Sequence, residues 1–130
     1  MKIFFKLAIM LSLFSISNIA AAEWTPIANA DSIESYIDQA TLRRNGNSIK
    51  IWVLNNYNEK QLYEGKTFLS GTSQFEFNCK SEKFRTLSFQ LYAGPMQTGK
   101  TIFDSGRNVD SWDPIVPGTT GAIIAANICK

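Results

Sequence analysis

Residues 23–130 predict an α+β domain: an antiparallel β-sheet of about six strands, with a C-terminal helix packed on one face and tethered to it by a disulfide. Three observations carry this. Apolar and polar residues alternate along most of the segment, which is the period-two signature of half-buried strands. Hairpin-length turns separate the runs, and such turns join antiparallel neighbours. Cys79 and Cys129 are the only cysteines in the 130-residue chain, an even pair of the kind that bonds in an exported protein.

Export is read from the first 22 residues. Lys2 and Lys6 make a basic start, residues 7–19 are mostly apolar, and Ala20 and Ala22 supply the small side chains at which a signal peptidase cuts. A signal peptide over residues 1–22 leaves a mature chain beginning at Glu23. The apolar run is shorter than the roughly 20 residues that cross a bilayer, so no stable membrane insertion is expected after cleavage. No cysteine stands at position 23, so the product is expected to be periplasmic or secreted and not lipid-anchored.

Residues 33–37 and 40–44 read as short strands. Asn45, Gly46 and Asn47 form a hairpin turn into a strand over residues 48–54, which puts Ile49, Ile51 and Val53 on one face and Lys50, Trp52 and Leu54 on the other. Residues 63–70 extend the sheet until Gly71 interrupts it. Phe75, Phe77 and Cys79 alternate with Gln74, Glu76 and Asn78, as Leu87, Phe89 and Leu91 do with Thr86, Ser88 and Gln90. Residues 101–104 are a further short candidate. Pro117 and Gly118 then turn the chain, Thr119 or Thr120 caps a helix, and residues 122–129 form it. Its stripe of Gly121, Ile124, Ala125, Ile128 and Cys129 should meet the sheet. Cys79 lies on the apolar side of its own strand, so a bond to Cys129 would clamp the helix there.

Composition excludes more than it suggests. The leader holds two of the 13 basic residues and none of the 11 acidic ones, so the mature part is formally neutral. A neutral domain lacks a bulk electrostatic reason to bind nucleic acid. The chain has no histidine, hence neither the commonest general base nor the commonest zinc ligand. No catalytic residue, metal or cofactor is assigned, and a non-enzymatic role is expected.

One motif is formally complete: Gly94, Gly99, Lys100 and Thr101 satisfy G-x-x-x-x-G-K-[ST]. A phosphate loop must open a helix, whose first N–H groups cradle the anion. Residues 101–104 are strand-like instead, so the match is read as chance and the segment as a flexible hairpin loop. Asp110 and Asp113 flank Trp112 in what reads as a turn before Pro114. Trp24, Trp52 and Trp112 form either a carbohydrate or partner surface or ordinary core and edge packing. Trp52 is the most informative, because its strand directs it away from Ile51 and Val53, toward the face without the helix. Lys80, Lys83 and Arg85 make either a small anionic-ligand site or a solvated turn beside that surface.

Taken in order, Trp24, the triplet Tyr36, Ile37 and Asp38, Arg43 and Arg44, the strand ending at Leu54, residues 75–79, Trp112, the Pro117, Gly118 and Thr119 turn, and Ile128 with Cys129 resemble the surface-adhesin protein E family of Gram-negative bacteria. The resemblance spans residues 23–130. It implies an antiparallel sheet whose concave face holds the helix through the disulfide, and binding of host extracellular-matrix or serum proteins. A protein partner of the host or of the envelope, or a second copy of the chain, is expected at Trp52, Lys80, Lys83 and Arg85. The alternative classes are a periplasmic inhibitor of a hydrolase, presenting residues 94–100, and a structural envelope protein.

Overall fold

The structure, a computed structural model, describes residues 22–130; the signal peptide expected over residues 1–22 lies, but for Ala22, outside the described residues. The strands are β1 (Thr25–Ala30), β2 (Ile33–Asn45), β3 (Ser48–Tyr63), β4 (Lys66–Asn78), β5 (Lys83–Tyr92), β6 (Thr101–Asp104) and β7 (Asp113–Pro114), followed by one helix, α1 (Thr120–Ile128). They form one seven-stranded sheet in the order β1-β2-β3-β4-β5-β6, with β7 paired to β5. Every pairing is antiparallel. The architecture is therefore the one expected, a meander with a single C-terminal helix.

The strands are longer than the sequence runs, and some runs fuse. The two runs 33–37 and 40–44 are one strand, β2, whose pairing with β3 shifts between Asp38 and Arg43. Side chains bridge that irregularity: Ala40 N–H donates to Asp38 Oδ1 at 3.1 Å, and Thr41 Oγ1 accepts from Trp52 N–H at 3.1 Å. Gly71 does not interrupt β4; it pairs with Asn55 on one side and Leu91 on the other. A Cβ there would stand 3.0 Å from Leu91 Cδ2 and 3.2 Å from the Gln90 carbonyl oxygen, so glycine allows a close approach. The strand β1 is not signalled by its composition. It is an edge strand, where Pro26 loses no central ladder bond, and the shift between Pro26 and Ala28 frees Ile27 to pack on the core.

Thr119, not Thr120, caps the helix by accepting the Ala122 N–H at 3.3 Å. Ile124 and Ile128 are the buried residues of α1, and they close a core with Ile37, Ile49, Ile51, Val53 and Phe77. Gly46, at φ +60°, starts the two-residue loop between β2 and β3, the place where a left-handed residue matches the twist of a tight hairpin. The bond between Cys79 and Cys129 is formed, with Cα atoms 5.6 Å apart, and joins the end of β4 to the end of α1. The sheet thus has one face occupied by the helix and one that the helix leaves free.

Candidate functional site

Side chains alternate along a strand, so the register defines what the helix-free face displays. Asp38, Trp52, Gln74 and Ser88 are successive partners across β2 to β5, and Tyr36, Leu54, Thr72, Gln90 and Asp104 form the adjoining row out to β6. A third row is Lys50, Glu76 and Arg85. Trp52 is half-buried on this face, as its strand position predicts.

Trp24, just ahead of β1, meets Trp52 in a cleft of about 360 Å³ whose lining includes Asp38, Thr72, Gln90 and Tyr92. A wider cleft of about 970 Å³ adjoins it, lined by Trp52, Gln39, Gln74 and Arg43. Asp38, Thr41 and Trp52 belong to both, so the two are parts of one trough in the mature chain; Ala22, which also borders both, belongs to the expected leader. Asp38 is only 5% exposed. Beside β1, in a separate cleft, the Tyr36 hydroxyl donates to Glu34 Oε2 at 2.6 Å, and that bond, with minor burial and the Glu34 charge, holds the phenol above its ordinary pKa.

Arg85 shares the face but is committed within it. Its Nε and Nη2 both donate to Glu76 Oε1, at 2.7 and 2.6 Å, and its guanidinium lies 4.3 Å from the Trp112 ring centroid. Trp112 reaches this position because the segment after β6 runs back along β5: Asn108 N–H donates to the Leu87 carbonyl and Asp110 N–H to that of Thr86, both at 2.9 Å. Lys80 and Lys83 are exposed, Lys80 in a turn closed by Asn78 Oδ1, which accepts from the N–H groups of Lys80 and Ser81 at 3.1 and 3.0 Å. Lys83 begins β5 two residues before Arg85 and so falls on the same side. The structure brings Trp52, Arg85 and Lys83 to one face and leaves Lys80 on the turn beyond it.

In the segment resembling a phosphate loop, the N–H groups of Gly94, Met96, Gln97 and Thr98 are already bonded within the protein. Gly94 N–H donates to the Thr98 carbonyl at 2.9 Å and Thr98 N–H to that of Pro95 at 3.1 Å. Met96 N–H donates to Asn56 Oδ1 at 2.8 Å and Gln97 N–H to Ser70 Oγ at 2.9 Å. Thr101 begins β6 and not a helix. These bonds pin the loop against β3 and β4, where a flexible loop was expected. On the opposite face, a cleft of about 570 Å³ lies between the start of α1, β7 and the sheet. Val53, Phe75, Phe84 and Ile124 line it, with the buried Ser35 hydroxyl donating to Asn55 Oδ1 at 2.7 Å. Among the described residues no helix is long and apolar enough to cross a membrane, and no group of three His, Cys, Asp or Glu could hold a metal ion.

Sequence reasoning named the three tryptophans but not the meeting of Trp24 with Trp52, and it gave Asp38 no place in a site. Burial of Asp38 depends on the break in the β2 ladder, and the position of Trp24 depends on β1; neither leaves a periodic trace.

The fold and the site define a small disulfide-clamped β-meander domain whose helix-free face carries aromatic, amide and charged side chains over a trough. The chain belongs to the surface-adhesin protein E family, whose model matches residues 24–130. Among solved structures it is similar to Haemophilus influenzae protein E, at 15% identity and a TM-score of 0.63 over 85% of this chain and 86% of that one. A second crystal form of that protein gives a TM-score of 0.61 at 15% identity, covering 85% and 96%. Protein E from non-typeable Haemophilus influenzae gives 0.61 at 14% identity, covering 86% and 78%. At such identities the likeness is one of fold. None of the curated proteins matches the chain by sequence.

Proposed function

We propose that this protein is an exported, non-enzymatic adhesin that binds a host extracellular-matrix or serum protein through its helix-free sheet face. Membership of the surface-adhesin protein E family supports adhesion. The observation that carries the choice of face is the set of half-buried Trp52, Arg85 and Trp112 side chains on the side that α1 leaves free. Half-buried aromatic and arginine side chains are the types that anchor protein interfaces. Cleavage behind Ala22 would deliver the protein to the periplasm without a lipid anchor, and contact with a host protein then follows its release from the cell. The exposed Lys80 and Lys83 add positive charge at one end of the face and steer an acidic partner toward it.

Purified protein flowed over immobilised matrix and serum proteins tests this reading. Saturable binding to at least one of them, weakened about tenfold or more by Trp52→Ala, is expected. Absence of binding to every member of the panel contradicts it. Surface proteolysis of intact cells compared with opened cells locates the protein: protection until the outer membrane is breached places it in the periplasm.

A further inference from the structure

We propose that the trough between Trp24 and Trp52 is a sugar-binding site for an uncharged oligosaccharide chain carried by the glycosylated partner of the adhesin. Asp38 stands in both arms of the trough and is only 5% exposed. Its Oδ1 accepts one main-chain N–H, that of Ala40. Among the described residues the one ion pair is Arg85 with Glu76, so no cation neutralises Asp38. No buried side-chain oxygen or nitrogen among them lacks a hydrogen bond. The second carboxylate oxygen has no hydrogen bond to another described residue and is not sealed from solvent, and the surface Asp38 keeps lines the cleft, where that oxygen can accept from a ligand.

The walls match a pyranose. A sugar ring presents C–H groups with partial positive charge on its faces, which suit the negative face of an indole, and hydroxyl groups around its rim. Trp24 and Trp52 supply the indoles and Gln74 supplies an amide beside the carboxylate. Thr72 donates its hydroxyl to Gln90 Oε1 and Gln90 Nε2 donates to Asp104 Oδ1, so these two form a fixed polar wall that keeps one amide N–H of Gln90 for a ligand. An organic cation would also suit a carboxylate between tryptophans. Arg43 on the wider arm opposes it, and the amide side chains have nothing to offer a quaternary ammonium. With the Asp38 carboxylate and the Arg43 guanidinium both on the trough, a ligand charge of either sign meets a like charge, which sets the preference for uncharged sugars. Volumes of about 360 and 970 Å³ in the two arms accommodate more than one sugar unit.

This inference rests on the adhesive reading only for who displays the sugar. The test is titration of the protein with free lacto-, malto-, cello- and chito-tetraose, with choline chloride as the cationic probe, followed by tryptophan fluorescence and by NMR. At least one sugar series should bind saturably, with affinity about tenfold or more lower in both Asp38→Asn and Trp24→Ala and unchanged in Lys60→Ala. Asp38→Asn keeps the acceptor for Ala40 and so keeps the fold, which a melting curve checks. No binding by any sugar, equal binding by the variants, or binding of choline in place of sugars would overturn the site. Capture of a matrix protein that persists after enzymatic removal of its glycans would overturn the sugar inference and leave the adhesin reading standing. Sugar binding with no capture of any matrix or serum protein would do the reverse.

Discussion

Arg44 reaches from the end of β2 to the last turn of α1, where its Nη2 donates to the Ile128 carbonyl at 2.9 Å. The last turn of the helix contains no basic residue of its own, so the cation that complements its negative end comes from the sheet. One residue further on, Cys129 is bonded to Cys79. The C-terminal end of α1 is thus held twice, once covalently and once by a charge-assisted hydrogen bond.

Removal of the covalent hold should be the costliest single change in the molecule. Closing a loop of 50 residues contributes about 4 kcal/mol by the chain-entropy argument, so Cys79→Ser or Cys129→Ser should lower Tm by on the order of 15–20 °C. Calorimetry of the oxidised wild type beside either variant checks this. An unchanged Tm would show that the bond adds nothing to the fold.

Arg44→Ala should cost about 1 kcal/mol, the value of a charged hydrogen bond at an exposed helix end after solvent screening. Because both holds act on the same turn, the two losses should not add. A double-mutant cycle with Cys129→Ser reads the coupling in urea melts.

Which side chains of the core strands and of α1 face inward was legible in the sequence; the cross-strand register and the continuity of the strands were not. Ile49, Ile51 and Val53 alternate in a way that only a one-sided strand explains, and α1 shows its buried stripe from Gly121 to Cys129. The polar stretch from Asn55 onward hid the second half of β3, since pairing there is maintained by main-chain bonds and not by an apolar face. Gly71 was read as a break because glycine is poor strand material; its reason is the neighbour Leu91, which lies 20 positions away and cannot be seen locally. The binding face was half legible. Trp52 could be assigned to the helix-free side from its strand alone, whereas the approach of Trp24 and the burial of Asp38 depend on an edge strand and a ladder shift that carry no pattern.

The account of Gly71 gives its own prediction. Gly71→Ala should destabilise by about 1–3 kcal/mol through overpacking, because the new methyl meets Leu91 Cδ2 at 3.0 Å. The same substitution in a Leu91→Ala background should cost less. Equal cost in both backgrounds would assign the penalty to the main-chain contact with Gln90.

Alkaline stability should depend on Tyr57, whose phenol is pushed above its ordinary pKa of 10.0 by burial. Folding then favours the neutral form, so the contribution is whole below the unfolded value and is lost as pH rises through that value to the folded one. Urea midpoints should fall more steeply above pH 10 in the wild type than in Tyr57→Phe. Asp104 works in the opposite direction: the Gly106 N–H first, and Gln90 second, hold its carboxyl below the usual carboxylate value. Its contribution is present above the unfolded pKa and fades as pH falls through the folded one, and Asp104→Asn should flatten that acid limb.

The separation of the two faces, one for the helix and one for the ligand, is tested most directly by measuring partner capture and Tm together in Trp52→Ala and Cys129→Ser. The account predicts that Trp52→Ala loses capture while melting within a few degrees of the wild type, about the shift of a 1 kcal/mol change or less. It predicts that Cys129→Ser melts far lower yet captures normally at temperatures where it is folded. Capture that survives Trp52→Ala but is abolished in folded Cys129→Ser would place recognition on the helix side and contradict the account.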